Sequence, residues 1–339
     1  MTIPHMFARR LRHLSYLRII VNGLTTIVYT TAVGWLAYCL YMPFSEEARQ
    51  PGYTGDDTDG ILIIGIIIFW ALQYAMVKGL LAINKMEERI ISDFIHSSFP
   101  EAVYSPCATF NSSHLADSRL FNASGIGNNP LGFTTYGRVD FFFDDHAVAV
   151  VDIGVTSDTT STLMYRVPVI NYFVTIFRTM IRPIFGARVD SSMHSFRGMF
   201  GYLNFPIRCK GSVMLLPDNL EEKLGHMATA IQAMATRNGG TLVSLEDPEF
   251  ENLFAVYADD EVEARKLLTP ARMRLITSLR REFGRDLMLS FVNDKLFYAA
   301  YTPDGFLKPR PGIGKGHGHR LDSLHKELAF CHSLPKKMK

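Results

Sequence analysis

Two long stretches without a charged side chain constrain this 339-residue chain more than anything else in it. One runs for 27 residues between Arg18 and Glu46; the other runs for 18, from Gly60 to Val77. A helix needs about 20 mostly apolar residues to cross a hydrocarbon core. No other form of a single isolated segment hides its backbone N–H and C=O groups from lipid. The sequence therefore predicts membrane helices over 15–42 and 61–83. Trp35, Tyr38 and Tyr41 lie near the far end of the first, where aromatic rings favour the headgroup level, and Lys78 can snorkel out of the second. A cleavable signal peptide does not fit, because the first apolar run exceeds a 7–15-residue core and no small-residue cleavage pattern follows it. Two buried core helices of a soluble protein are the remaining alternative.

Charge sets the orientation. Arg9, Arg10, Arg12 and Arg18 precede the first span, and Lys78, Lys85 and Arg89 close the second. The connecting loop carries Glu46, Glu47, Asp56, Asp57 and Asp59 against Arg49. Lys and Arg are retained on the cytoplasmic side, so both termini are expected there. The organisation expected is a basic N-terminus (1–14), a first span (15–42), an acidic external loop (43–60), a second span (61–83), a cytoplasmic domain (84–303) and a basic flexible tail (304–339).

The domain reads as mixed α+β. Asn84–Phe99 continues the second span as a helix that Pro100 closes, and 101–135 reads as irregular chain with short strands. Tyr136–Phe143 and Ala147–Val155 form a hairpin around Asp144-Asp145-His146, with Val139, Phe141 and Phe143 alternating as a half-buried strand requires. Further strands are expected at Phe196–Phe205, Cys209–Leu216, Thr241–Leu245, Phe254–Tyr257, Leu287–Val292 and Lys295–Tyr301, the last two joined by a tight turn at Asn293-Asp294. Helices are expected at Asp218–Thr236, Glu261–Leu268 and Thr269–Phe283, with Pro270 in a first turn that has no use for its missing N–H. Beyond Pro303 the chain is basic, with a short helix at Leu321–Phe330 between Gly- and Pro-containing flanks.

Between Pro168 and Pro183, Asn171, Thr175, Arg178 and Arg182 recur at spacings that put them on one stripe of a helix, with Ile170, Phe173, Phe177 and Ile181 among the apolar residues around it. A helix lying in the membrane interface fits best, its lipid contacts being Arg166, Ile170, Phe173, Phe177, Arg178, Ile181 and Arg182. A core helix and a third span are alternatives; two mid-segment arginines cost about 2.5–3.5 kcal/mol each at the bilayer centre.

The stretch Leu245–Pro270, LEDPEFENLFAVYADDEVEARKLLTP, resembles the signature block of a bacterial membrane family known as domain of unknown function 3137. Phe196-Arg-Gly-Met-Phe200, Leu215-Leu-Pro-Asp218 and Leu289-Ser-Phe-Val292 resemble its flanking blocks, and the likeness covers about 194–301. It implies two N-terminal membrane helices, a cytoplasmic α+β domain and no assigned activity; the localisation expected is the bacterial inner membrane, with two passes.

Read on their own chemistry, Phe250, Leu253, Phe254 and Val256 are core candidates. Glu246 to Glu263 holds eight acids and no base, and Arg265 to Arg285 holds seven bases and one acid. Such segments neutralise one another at a surface, each pair contributing little. Alternatively Glu246, Asp247, Glu249, Asp259, Asp260 and Glu261 form a face for a basic partner or a divalent cation.

No motif prescribes a reaction. Pro311–His319 lacks phosphate-loop spacing and a preceding strand. His317, His319, His325 and His332 fix no metal geometry, and Cys39, Cys107, Cys209 and Cys331 are too scattered for a zinc site or a disulfide framework. The expectation is a non-enzymatic, cofactor-free membrane scaffold or adaptor whose partners are the bilayer and membrane or cytoplasmic proteins. Self-association is open, and no nucleic acid is expected, since no aromatic residues alternate with the tail's bases. A ligand- or peptide-sensing domain is the first alternative. An enzyme using a carboxylate pair drawn from Asp144, Asp145, Asp259 and Asp260 is the second.

Overall fold

The computed structural model of the protein describes residues 3–41, 55–106, 110–121, 132–143, 146–156, 196–218, 240–302, 305–307 and 317–338. It divides into two units, one within residues 1–90 and one beginning at Ile91. The expected segment at 168–183, with its lipid-contact residues, the loop Asp144-Asp145 and nearly all of the helix expected over Asp218–Thr236 lie outside the described residues.

In the first unit, α1 (Ile3–Tyr41) and α2 (Gly55–Ser98, its last turns belonging to the second unit) form an antiparallel helical hairpin. Arg18 donates to Asn84 Oδ1 at 2.7 Å and pairs with Glu87; Thr25 Oγ1 meets Met76 Sδ at 3.2 Å; Tyr29 sits edge-on to Phe69 at 5.6 Å. Gly65 takes the ring of Trp35 so closely that a Cβ there would come within 2.3 Å of it. The hydroxyls of Thr25, Thr26, Thr30 and Thr31 bond to carbonyls four residues back, which satisfies them without water. Both helices, over Met6–Cys39 and Leu62–Ser98, are long and apolar enough to cross a membrane. Core helices would bury such windows, whereas 6% of each is buried here. By length, composition and exposure the two helices are consistent with those of a membrane protein.

The second unit is an antiparallel seven-stranded sheet with helices. Its strands are β1 (Ala102–Ser105), β2 (Gly132–Phe143), β3 (His146–Thr156), β4 (Phe196–Pro217), β5 (Thr241–Val243), β6 (Phe254–Ala258) and β7 (Leu287–Tyr301). The order is β1-β2-β3-β4-β6-β5, with β7 on the other edge of β4. The expected β2–β3 hairpin is present, closed at Phe143↔His146.

Two expectations about strands are corrected. The segments Phe196–Phe205 and Cys209–Leu216 are one strand of 22 residues, and the segments flanking Asn293-Asp294 are also one strand. Asn293 does take the left-handed conformation (φ 55°) that a turn requires. It sits opposite Cys209, where the pairing shifts register, so the left-handed residue becomes a bulge between two long partners instead of a reversal. The N-terminal half of β4 pairs with β3 (Ala149↔Tyr202 to Val155↔Phe196) and its C-terminal half with β6 (Val213↔Ala258 to Pro217↔Phe254). β7 runs along both halves.

One face of this sheet is covered by α3 (Ser112–Asp117) and its flanks: Phe110, Leu115, Leu120 and Phe121 pack on Val151, Ile153, Phe196, Phe200 and Phe297. Asn111 caps α3 by accepting from Ser113 N. Beside β6 lie α4 (Pro248–Glu251), α5 (Glu261–Leu267) and α6 (Pro270–Phe283). Thr269 caps α6, Pro270 opens it, and Gly284 ends it in the left-handed conformation (φ 68°). Met273, Ile276 and Leu279 are its buried stripe. Phe250, Phe254 and Val256 are buried as expected, and Leu253 partly so.

The segment expected as a flexible basic tail is, over His317–Met338, a 22-residue helix, α7. Leu321, Leu324, Leu328, Cys331, Leu334 and Met338 recur every three or four residues and are all buried. The basic residues outweigh this stripe in composition without interrupting it.

Candidate functional site

The handover from α2 to the sheet is built from aromatic and imidazole rings. Ile91, Phe94, Ile95 and Phe99, on the last turns of α2 and just beyond, are buried in the second unit. Phe99 stacks on His325 of α7 at 5.3 Å and stands edge-on to Phe141 of β2 at 5.7 Å. His332, two turns further along α7, packs on Phe99, Phe141 and Phe143, and its Nε2 reaches Glu101 Oε1 at 2.5 Å. Two of the four histidines of the C-terminal segment, His325 and His332, are thus ring partners that bind α7 to Phe99 just beyond α2.

Beneath this joint lies buried charge. Asp152 of β3 is fully buried. Its Oδ2 accepts from Arg197 Nη2 at 3.0 Å and from the backbone N–H groups of Phe306 and Leu307 at 3.2 and 3.0 Å. The guanidinium of Arg197 lies 3.3 Å from the ring centre of Tyr136. Four favourable contacts offset the heavy desolvation of such a pair. Glu327 of α7 pairs with Arg285, which follows α6, at 2.6 Å. Burial pushes the Glu327 carboxyl up to about 7; Arg285 opposes the shift and the nearby Asp152 adds to it. Next on α7, Cys331 donates to Met199 Sδ at 3.3 Å. Burial raises both this thiol and the neighbouring Tyr298 hydroxyl, which makes Cys331 a packing residue and a poor nucleophile. Burial likewise raises Cys209 in β4.

The acids singled out in the sequence fall into two groups. Asp247 caps α4 by accepting from Glu249 N and Phe250 N, Glu249 pairs with Arg281, and Glu246 is exposed beside them. Asp260 caps α5 through Val262 N, and Glu261 pairs with Arg265 one turn on, at 2.7 Å. Asp259 is drawn inward instead. It meets Arg119 at 2.7 Å and accepts from Ser212 N at 2.8 Å, beside Gly211, where a φ of 96° would strain any side chain and a Cβ would crowd the Asp259 carboxylate. Bases of the following segment do pair with these acids: Arg265 with Glu261, Lys266 with Glu263, Arg281 with Glu249. Among the described residues no group of three His, Cys, Asp or Glu side chains could hold a metal ion.

Asp152, Arg197, Arg285 and Glu327 were not singled out in the sequence. Asp152 had a signal: it is the lone charge within Ala147–Val155, and a charge in a buried strand needs a partner. Nothing local to Arg197, Arg285 or Glu327 names the partners they find.

These observations define a class: an apolar helical hairpin whose second helix ends inside an antiparallel α+β domain. The model of a family described as a protein of unknown function, DUF3137, matches residues 194–339, from the start of β4 through α7. The resemblance read from Leu245–Pro270 and its flanking blocks therefore holds. No curated protein matches the sequence. The crystal structure of the mycobacterial trehalose monomycolate transport factor A, TtfA, is similar at a TM-score of 0.36 and 9% identity, over 75% of this chain and 94% of that one. That likeness is too slight to bear on fold or function.

Proposed function

We propose that the protein is a membrane-anchored scaffold or adaptor that presents its α+β domain to protein partners at the cytoplasmic face of a bacterial inner membrane. The observation that carries this reading is α2, a single helix of 44 residues. Its apolar part is long enough to span a bilayer, and its last turns are core elements of the domain. Arginines before the first span and acids in the loop between the spans favour cytoplasmic termini. Arg18, held by Asn84 and Glu87, suits the cytoplasmic end of such a hairpin. Of the acids around α4 and α5, Glu246, Glu249 and Glu261 are exposed and are where a basic partner would dock.

The test uses the full chain in intact membranes, with a photocrosslinking residue placed at Glu246 or Glu261. A discrete protein adduct from either position, absent when the crosslinker sits at exposed Asp322 of α7, supports the reading. Equal labelling from all three positions, or none, overturns it, as does release of the protein from the membrane by alkaline carbonate.

A further inference from the structure

The two ends of the helical hairpin differ in charge. Where α1 finishes, its last turn holds no base, and α2 opens with Asp56, Asp57 and Asp59. At the other end, Arg9–Arg18 and Lys85–Arg89 hold six bases against two acids, a net charge of +4, all within the first unit. The contacts of Arg18 with Glu87, Thr25 with Met76 and Trp35 with Gly65 fix the register of the helices. Continued outward, this antiparallel register brings Lys85 level with Tyr16 and Arg89 level with Arg12. Arg9 stands about 10 Å from Tyr16 along the axis, close to the roughly 5–8 Å of headgroup layer on each side of a bilayer.

The six bases are not used alike. Arg18 is tied to Glu87 and Asn84 inside the hairpin. Arg9, Arg10, Arg12, Lys85 and Arg89 are exposed, and among the described residues none of the five pairs with an acid. Immediately inward stand the exposed apolar side chains of Leu17 and Met86 and the ring of Tyr16. A collar of unneutralised cations thus sits where apolar surface gives way to charge. Arg9, Arg12 and Tyr16 share one face of α1, at spacings of three and four. Guanidinium forks bind phosphate oxygens in bidentate fashion, and a tyrosine ring favours the headgroup level.

We propose that this collar, Arg9, Arg10, Arg12, Lys85 and Arg89, is a docking surface for the phosphodiester headgroups of anionic phospholipids and selects them over zwitterionic ones. A zwitterionic lipid offers the same phosphate but adds an ammonium, which the net positive charge of the collar disfavours. The proposal rests on the reading of the hairpin as a membrane anchor and is independent of any protein partner.

The test uses the full chain in nanodiscs of phosphatidylcholine and phosphatidylglycerol, whose two leaflets are alike, so the direction of insertion does not matter. Spin-labelled phosphatidylglycerol should associate with the protein about fivefold more strongly than spin-labelled phosphatidylcholine, the ratio for one basic side chain settling at an anionic surface. Raising the salt from about 0.1 M to about 1 M, which shortens the Debye length from about 10 Å to about 3 Å, should remove most of this preference. Arg9→Gln/Arg10→Gln/Arg12→Gln should bring it below about twofold. Arg274→Gln/Lys326→Gln/Lys336→Gln, which takes equal charge from exposed positions of the second unit, should leave it unchanged. No preference in the wild type, a preference indifferent to salt, one retained in the first variant or an equal loss in the second would overturn the proposal. Alkaline carbonate separates this failure from that of the anchor. A retained chain without lipid preference refutes the collar alone, and a released chain refutes both.

Discussion

Asp152 shows how much of a buried charge depends on its partners. It brings a full negative charge into a strand otherwise lined with Val, Ile and Ala, and it is held there by Arg197 and two backbone N–H groups from 306–307. Removing one member of such a pair leaves the other charge buried without its counterpart. Asp152→Asn is therefore expected to destabilise the domain by about 3–5 kcal/mol in denaturant unfolding. The double variant Asp152→Asn/Arg197→Met should cost less than the single one, because it removes both charges. A cost for Asp152→Asn under about 1 kcal/mol would show that the pair is not held as described. At this scale the sequence was legible in one direction. It reveals that Asp152 sits in an apolar strand, and it is silent on a partner 45 positions away.

At the scale of elements, α1, α2, the β2–β3 hairpin and α6 follow from local rules: unbroken apolar runs, alternation, a capping threonine, a first-turn proline and a glycine stop. The β4–β7 ribbon does not. Pro206 and Gly211 in one strand and Asn293-Asp294 in the other carry turn chemistry, and a local reading ends the strands there. The long-range register between the two strands overrides that signal by placing both irregularities side by side. Since Asn293 has φ 55°, Asn293→Gly should be neutral or slightly stabilising, and Asn293→Val should cost about 1–2 kcal/mol in thermal or denaturant melts. Equal stability for the two variants would argue that the bulge lies elsewhere. In the hairpin, Gly65→Val should disrupt the packing of Trp35, and Trp35→Ala on that background should restore it in part. Disulfide crosslinking between cysteines placed at Thr25 and Met76 reads the outcome.

At the scale of the whole molecule, composition misled where periodicity did not. The last 36 residues are rich in Lys and Arg, which suggests a solvated tail, yet every third or fourth residue from Leu321 to Met338 is buried. Truncation at residue 316 should thus expose the face that carries Met199, Tyr298 and Phe141, and make the whole sheet susceptible to limited proteolysis. A flexible tail would be lost without effect on the remainder, and a protease pattern unchanged by the truncation would favour that view. The site was less legible than the fold. The acids around α4 and α5 stand out by composition, whereas the ring joint at Phe99, His325 and His332 joins segments more than 200 positions apart.

β4 has one further consequence. Because a single strand borders β3 along one half and β6 along the other, the portion shared with the family, 194–339, is not a self-sufficient piece. Excised there, it would bare the flank of Phe196–Tyr202 that β3 normally covers, a greasy ledge of unpaired amides ready to recruit copies of itself. Anyone expressing this protein in parts should begin no later than Ile91, or expect inclusion bodies.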